Sequence, residues 1–155
     1  MTSGASALSA RQRILLVFLK SDDGSSLDPV RIMKGLFLVA KKTPREWLPA
    51  QGAYDFEPYY YGPFSSAVYR DLDDLREADL VDCTPVPGRS WCTYSLTKRG
   101  SDAADEAAQV LDPRLVDYAR RLNSWVGRLS FNDLLTRVYK EFPQYASKSV
   151  FRSTC

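Results

Sequence analysis

Apolar residues recur at three- and four-residue intervals through most of this chain, and one stretch breaks that rhythm by alternating. Ile14, Leu15, Phe18 and Leu19 predict a first helix from Ala10 to Ser21, stopped at Asp22-Asp23-Gly24. Val30, Met33, Leu36, Phe37 and Ala40 give the apolar stripe of a second helix ending near Pro44. Asp28-Pro29 opens it, the carboxylate capping free amides and the proline sitting where no amide hydrogen bond is lost. A loop with a short turn near Glu46 and Trp47 follows, then an aromatic, extended stretch from Tyr54 to Tyr61, broken by Gly62-Pro63. Phe64, Val68, Leu72 and Leu75 share one face of a third helix, and Leu80 closes that face. From Val81 to Leu96 the pattern alternates, which predicts a hairpin turning at Pro87-Gly88 with Cys83 opposite Cys92 and Val81 opposite Tyr94. Its apolar face is Val81, Cys83, Cys92, Tyr94 and Leu96; Asp82, Thr84, Arg89, Trp91 and Thr93 lie outward. Three more helices follow, started by Thr97, by Asp112-Pro113 and by Ser130 with Asp133.

Helix, helix, extended segment, helix, two-stranded ribbon, helix is the order of a winged helix-turn-helix. The expected fold is mainly α with a small β-hairpin wing, plus C-terminal helices. Residues 1–9, small and polar, read as a flexible arm, 10–100 as the winged-helix core, and 101–155 as a helical extension. That extension packs on the core or forms a homodimer interface.

Composition narrows the function more by exclusion than by indication. There is no histidine, which removes the usual base for a serine or cysteine nucleophile and the commonest metal ligand. Cys83, Cys92 and Cys155 have no metal-ligand spacing and make no even disulfide framework. Facing cysteines invite a redox-switch reading, but small apolar side chains are the preferred reading for a cytoplasmic chain. Neither a P-loop nor a dinucleotide-binding glycine pattern is present. The longest apolar run, Ile14 to Leu19, is too short for a membrane span, and the N-terminal region lacks a cleavable export pattern. The expectation is a cytoplasmic, non-enzymatic protein with no cofactor, no metal and no membrane partner. A net charge of +2 does not by itself indicate nucleic acid.

Two stretches resemble known winged-helix regulators. Leu75-Arg76-Glu77-Ala78-Asp79-Leu80-Val81 resembles the end of their recognition helix running into the first wing strand. Tyr94-Ser95-Leu96-Thr97-Lys98-Arg99-Gly100 is similar to the second wing strand and following cap of MarR- and PadR-type proteins. Over about Ile14 to Phe151 the chain resembles the Panacea antitoxin-domain group and the related small YwgA-like bacterial proteins. The matching pieces are Val30 to Leu38, Tyr60-Tyr61-Gly62-Pro63-Phe64-Ser65, the wing, Leu134 to Tyr139, and Phe142 to Ala146. That resemblance implies a bacterial or phage setting and a role in toxin neutralisation or regulation.

A DNA-binding regulator of toxin–antitoxin or defence type is the leading expectation, with double-stranded DNA as partner. Ser65, Ser66, Tyr69 and Arg70 would probe the major groove, Arg89 and Trp91 would anchor the wing, and Lys41, Lys42 and Arg45 would hold phosphates. Against it stands the charge from Pro63 to Asp82, two basic residues against six acidic, a local net of −4. The alternative is therefore an antitoxin or adaptor that grips a partner protein, such as a cognate toxin, through Asp71, Asp73, Asp74 and Glu77. Basic residues gather elsewhere, with Arg31, Lys34, Lys41, Lys42 and Arg45 around the second helix. Arg114, Arg120, Arg121, Arg128, Arg137, Lys140 and Lys148 lie on the terminal helices. A solvated helical face is the preferred reading of them. Phe56, Tyr59, Tyr60, Tyr61 and Phe64 form an aromatic run that reads as core in preference to a partner pocket.

Overall fold

The computed structural model describes residues 8–21 and 24–150. The expected stop at Asp22-Asp23 and most of the expected N-terminal arm lie outside the described residues. Six helices and two small antiparallel sheets make up the described chain, with no helix among these residues long and apolar enough to cross a membrane.

Helix α1 (Ala10–Leu19) starts on a capping box: the Ser9 side chain accepts from the Gln12 amide and the Gln12 side chain returns to the Ser9 amide. Ser9 is thus the helix cap and not part of an arm. All six residues from Ile14 to Leu19 are buried, because α1 is enclosed by later helices. Helix α2 (Pro29–Lys42) is capped by Asp28, which accepts from the Arg31 amide. One buried apolar stripe with a solvated basic face was expected here, yet residues 32–39 are all buried.

Between α2 and helix α3 (Ser66–Glu77) the chain makes a hairpin, β1 (Glu57–Tyr59) with β2 (Gly62–Phe64). Gly62-Pro63, expected to break the extended stretch, instead belongs to the returning strand. Gly62 takes φ +90°, so the tip at Tyr60-Tyr61 closes at a conformation that glycine tolerates best. Strands β3 (Val81–Pro85) and β4 (Cys92–Leu96) form the second hairpin, and Leu27 adds a single antiparallel bridge to Tyr94.

Helices α4 (Lys98–Val110), α5 (Pro113–Arg128) and α6 (Phe131–Glu141) begin at Thr97, Asp112 and Ser130, each accepting a backbone amide as the sequence predicts. Helices α4 and α5 pack on α1, and α5 and α6 on α2. One core therefore runs through Phe18, Phe37, Leu72, Leu115 and Leu134. Asn123 sits inside it and donates to the Phe18 carbonyl at 2.9 Å, and Arg31 donates to the Val126 and Leu129 carbonyls at 3.0 and 2.7 Å. These bonds satisfy polar groups that burial would otherwise leave at a cost of about 1–3 kcal/mol each.

Candidate binding surfaces

The β3–β4 hairpin pairs Val81 with Leu96, Cys83 with Tyr94 and Pro85 with Cys92, a register two residues removed from the expected one. The slip preserves which side chains share a face, because the pleat repeats every two residues. Its cause is the tip: Val86 to Arg89 makes a turn with Gly88 at φ +76°, and Ser90 and Trp91 are added on the returning side. Cys83 and Cys92, diagonal neighbours at 5.8 Å between Cα atoms, form a disulfide, correcting the reading of them as simple apolar side chains. Reduction is expected to cost about 2–3 kcal/mol, as for a cross-link closing a loop of this size. A thiol reductant should then lower the Tm of the wild-type chain but not that of a Cys83→Ala, Cys92→Ala variant.

The hairpin tip is set against the N-terminal end of α2. The Arg89 guanidinium lies 5.3 Å from the centre of the Trp91 ring. Both line an open cavity of about 630 Å³ with Tyr61, Tyr69, Phe131, Arg31 and Asp28. Arg31 is ion-paired to Asp28. A smaller cavity of about 110 Å³ adjoins it, sharing Pro29, Val30, Tyr61 and Tyr69, and reaches Tyr59, Gly62 and Lys34. Among the described residues, Tyr59, Tyr60, Tyr61, Tyr69, Trp91 and Phe131 are six of eight exposed large apolar side chains. They form one surface: Tyr59 stacks on Tyr60 at 4.5 Å and tilts against Phe64 at 4.7 Å, and Tyr61 meets Phe131 edge-on at 5.7 Å. The Val150 amide holds the first hairpin's tip by donating to the Tyr60 carbonyl at 2.9 Å. The expectation of core holds for Phe56 and Phe64, which are partly buried, and fails for Tyr59, Tyr60 and Tyr61. Phe131 was not anticipated; its signal is a phenylalanine in the first helical position, off the stripe of Leu134, Leu135 and Val138.

Lys34 closes the inner end of the smaller cavity and is only 3% exposed, not the solvated basic residue expected. Its ammonium donates to the Pro63 carbonyl at 3.1 Å. Burial pulls its pKa down to about 7, opposed by the charge of Asp28.

Two other proposed contact residues are withdrawn from the surface. Ser65 is buried at the start of α3. Asp71 is buried too, accepting from the Tyr54 hydroxyl at 2.6 Å and from Gln12 Nε2 at 3.2 Å. The Tyr54 hydroxyl is pushed above its ordinary pKa by burial and then by that carboxylate. Ser66, Arg70, Asp73, Asp74 and Glu77 remain exposed. Asp73 and Glu77 line an open groove with Asp79, Asp82 and Arg76, so the acidic charge of α3 continues onto β3.

Lys41, Lys42 and Arg45 lie at the far end of α2, about 20 Å from the cavity at its start by helical rise. There Lys42 of α2 meets the arginines of α5. A groove of about 590 Å³ between α2, α5 and α6 is lined by Lys42, Tyr118, Arg120, Arg121, Trp125, Arg128 and Glu141. Lys42 pairs with Glu141 at 2.6 Å, and that hydrogen bond raises its pKa. Lys41 is exposed, 6.0 Å from the centre of the Phe37 ring, and Arg45 is exposed in a short 3₁₀ turn (Arg45–Trp47). No cluster of three or more potential metal ligands occurs among the described residues.

The described chain is a mainly helical protein with two small hairpins, carrying an aromatic cavity, an acidic groove that follows it along α3, and a basic groove at the far end of α2. No model of a known protein family matches it. No curated protein matches it either.

Proposed function

We propose that this chain is a non-enzymatic protein-binding module of antitoxin or adaptor type, with a winged-helix core. The bridge from Leu27 to Tyr94 supports that core, since a single pairing stands beside β4 where a winged helix has its third strand. The observation that carries the function is the convergence of Tyr61, Tyr69, Trp91 and Phe131, with Arg89, on one open cavity. Contiguous exposed aromatics are costly to leave in water and mark interaction surfaces, and tyrosine, tryptophan and arginine dominate binding hot spots. Asp73 and Glu77 follow Tyr69 at four-residue steps along α3, so the acidic groove begins one helical turn from the cavity. That combination suits a partner segment with a large apolar anchor flanked by basic residues.

Duplex-DNA regulation, the other reading, uses the same helix and wing. With Ser65 buried and Tyr69 turned into the cavity, its base-facing side chains reduce to Ser66 and Arg70, followed directly by the acidic residues. The protein partner is favoured on charge and on shape.

The test is co-expression with the product of the neighbouring gene and titration of the purified pair. Trp91→Ala is expected to weaken the complex by about tenfold or more, the usual effect of removing an aromatic anchor. Asp73→Lys with Glu77→Lys should weaken it further and flatten its salt dependence. Binding unaffected by all three substitutions, or tight duplex binding at low salt without any protein complex, overturns the proposal.

A further inference from the structure

Charge on this molecule is separated along its length. Helix α3 is acidic, whereas α5 carries Arg114, Arg120, Arg121 and Arg128 against the single Asp117. Arg120, Arg121 and Arg128 all open on the groove that α2 and α6 complete. Within it Lys42 is neutralised by Glu141, and Arg121 leans on Asp117 at 3.0 Å. Arg120 and Arg128 are exposed and form no ion pair among the described residues. The groove's two aromatic rings are each attended by a guanidinium, Arg121 at 5.9 Å from Tyr118 and Arg137 at 5.9 Å from Trp125.

We propose that this groove binds single-stranded nucleic acid through its phosphates, at a surface that shares no residue with the aromatic cavity. Uncompensated guanidiniums on the wall of a concavity favour an anion, and their planar forks match phosphate oxygens in pairs. Eight residues of helix separate Arg120 from Arg128, about 12 Å. That span fits a row of phosphates better than one free anion. Interleaved arginine and aromatic side chains are the usual construction of single-strand sites, where bases stack against rings while cations follow the backbone. A duplex reads poorly here, because its major groove admits a protruding helix and this surface is concave. An acidic peptide would satisfy the arginines but leaves the two rings without a role.

Fluorescence anisotropy of the full chain tests this, with labelled oligo-dT and oligo-rU of about 15 nucleotides. Polyglutamate and an unlabelled duplex serve as competitors. Affinity is expected to fall about twentyfold between about 50 and 200 mM salt, the value for three phosphates at about 0.7 logarithmic units each. Arg120→Gln with Arg128→Gln should cost about tenfold or more at the lower salt with the helical circular dichroism unchanged. Lys98→Gln, at a fully solvated position on α4, should cost nothing. No binding at low salt, equal binding by the double variant, or equal displacement by polyglutamate or duplex overturns the proposal. Loss of single-strand binding would leave the aromatic cavity and its partner unaffected, so the two proposals fail separately.

Discussion

Gly100→Ala is expected to destabilise the chain by about 3–5 kcal/mol, a large share of the 5–15 kcal/mol that holds a typical domain. A methyl group on Gly100 would sit 1.8 Å from the Leu80 carbonyl oxygen and 2.8 Å from its carbon. Neither atom can step aside, since both are main chain. Leu80 is fixed from three directions. Its amide donates to the Leu75 carbonyl at 2.9 Å, ending α3 with Asp79 at φ +61°. Its carbonyl accepts from the Thr97 amide at 3.1 Å. The Thr97 hydroxyl donates to the Asp79 carbonyl at 2.7 Å while accepting from the Gly100 amide at 2.9 Å. The end of α3, the start of β3 and the cap of α4 therefore meet at one glycine. Thermal melts are the measurement, with Tm expected to fall by about 10 °C. Gly127→Ala is the control: its added methyl would meet only Leu27 Cδ2 at 3.8 Å. Replacing that helical glycine should be neutral or stabilise by about 0.5–1 kcal/mol. Similar melts for the two variants would show that the junction yields.

That glycine illustrates what a sequence makes legible. Its place after Thr97 is read directly as a helix start, and the caps at Asp28-Pro29, Asp112-Pro113 and Ser130 are read the same way. Each rests on side-chain and backbone groups within three residues of one another. The hairpin around Pro87-Gly88 is legible too, but its register depends on how many residues the tip holds, and Ser90 and Trp91 are not assigned to it by any local rule. What escapes is set by distant partners. Asp71 has the look of an exposed helical carboxylate until Tyr54, 17 residues earlier, and Gln12, 59 residues earlier, close over it. Lys34 reads as solvated because nothing in its own helix shows that β2 lies against it. The basic groove is composed from α2 and α5, elements far apart in the chain. Tyr59, Tyr60 and Tyr61 read as core because aromatics usually are, and only the hairpin that turns on Gly62 puts them in water.

Lys34→Met is expected to stabilise the chain at neutral pH and to remove a pH dependence. The wild-type lysine has its pKa drawn down from 10.5 to about 7 by burial, with Asp28 only partly opposing. Between pH 7 and about 10 the unfolded chain holds a proton on this amine that the folded chain has released. Raising the pH through that window therefore favours the folded state, by about 1.4 kcal/mol per unit where the two forms differ fully. Below pH 7 both forms are protonated and the burial penalty stays at its full value, about 5 kcal/mol as an order of magnitude. Methionine has a comparable length and no charge to desolvate, and it gives up the bond to the Pro63 carbonyl at a cost of about 1 kcal/mol. The net gain at pH 6.5 should be about 4 kcal/mol, shrinking toward zero as the pH approaches 10. Tyr69 and Tyr139, which border the same space, are held above their ordinary values by burial and do not enter the window. Urea denaturation at pH 6.5, 7.5, 8.5 and 9.5 measures both chains. A rise in wild-type stability across the series with a flatter response in the variant is the expected pattern. Parallel curves would show that the amine keeps its proton in the folded state, stabilised by the Pro63 carbonyl and by water reaching it through the aromatic cavity.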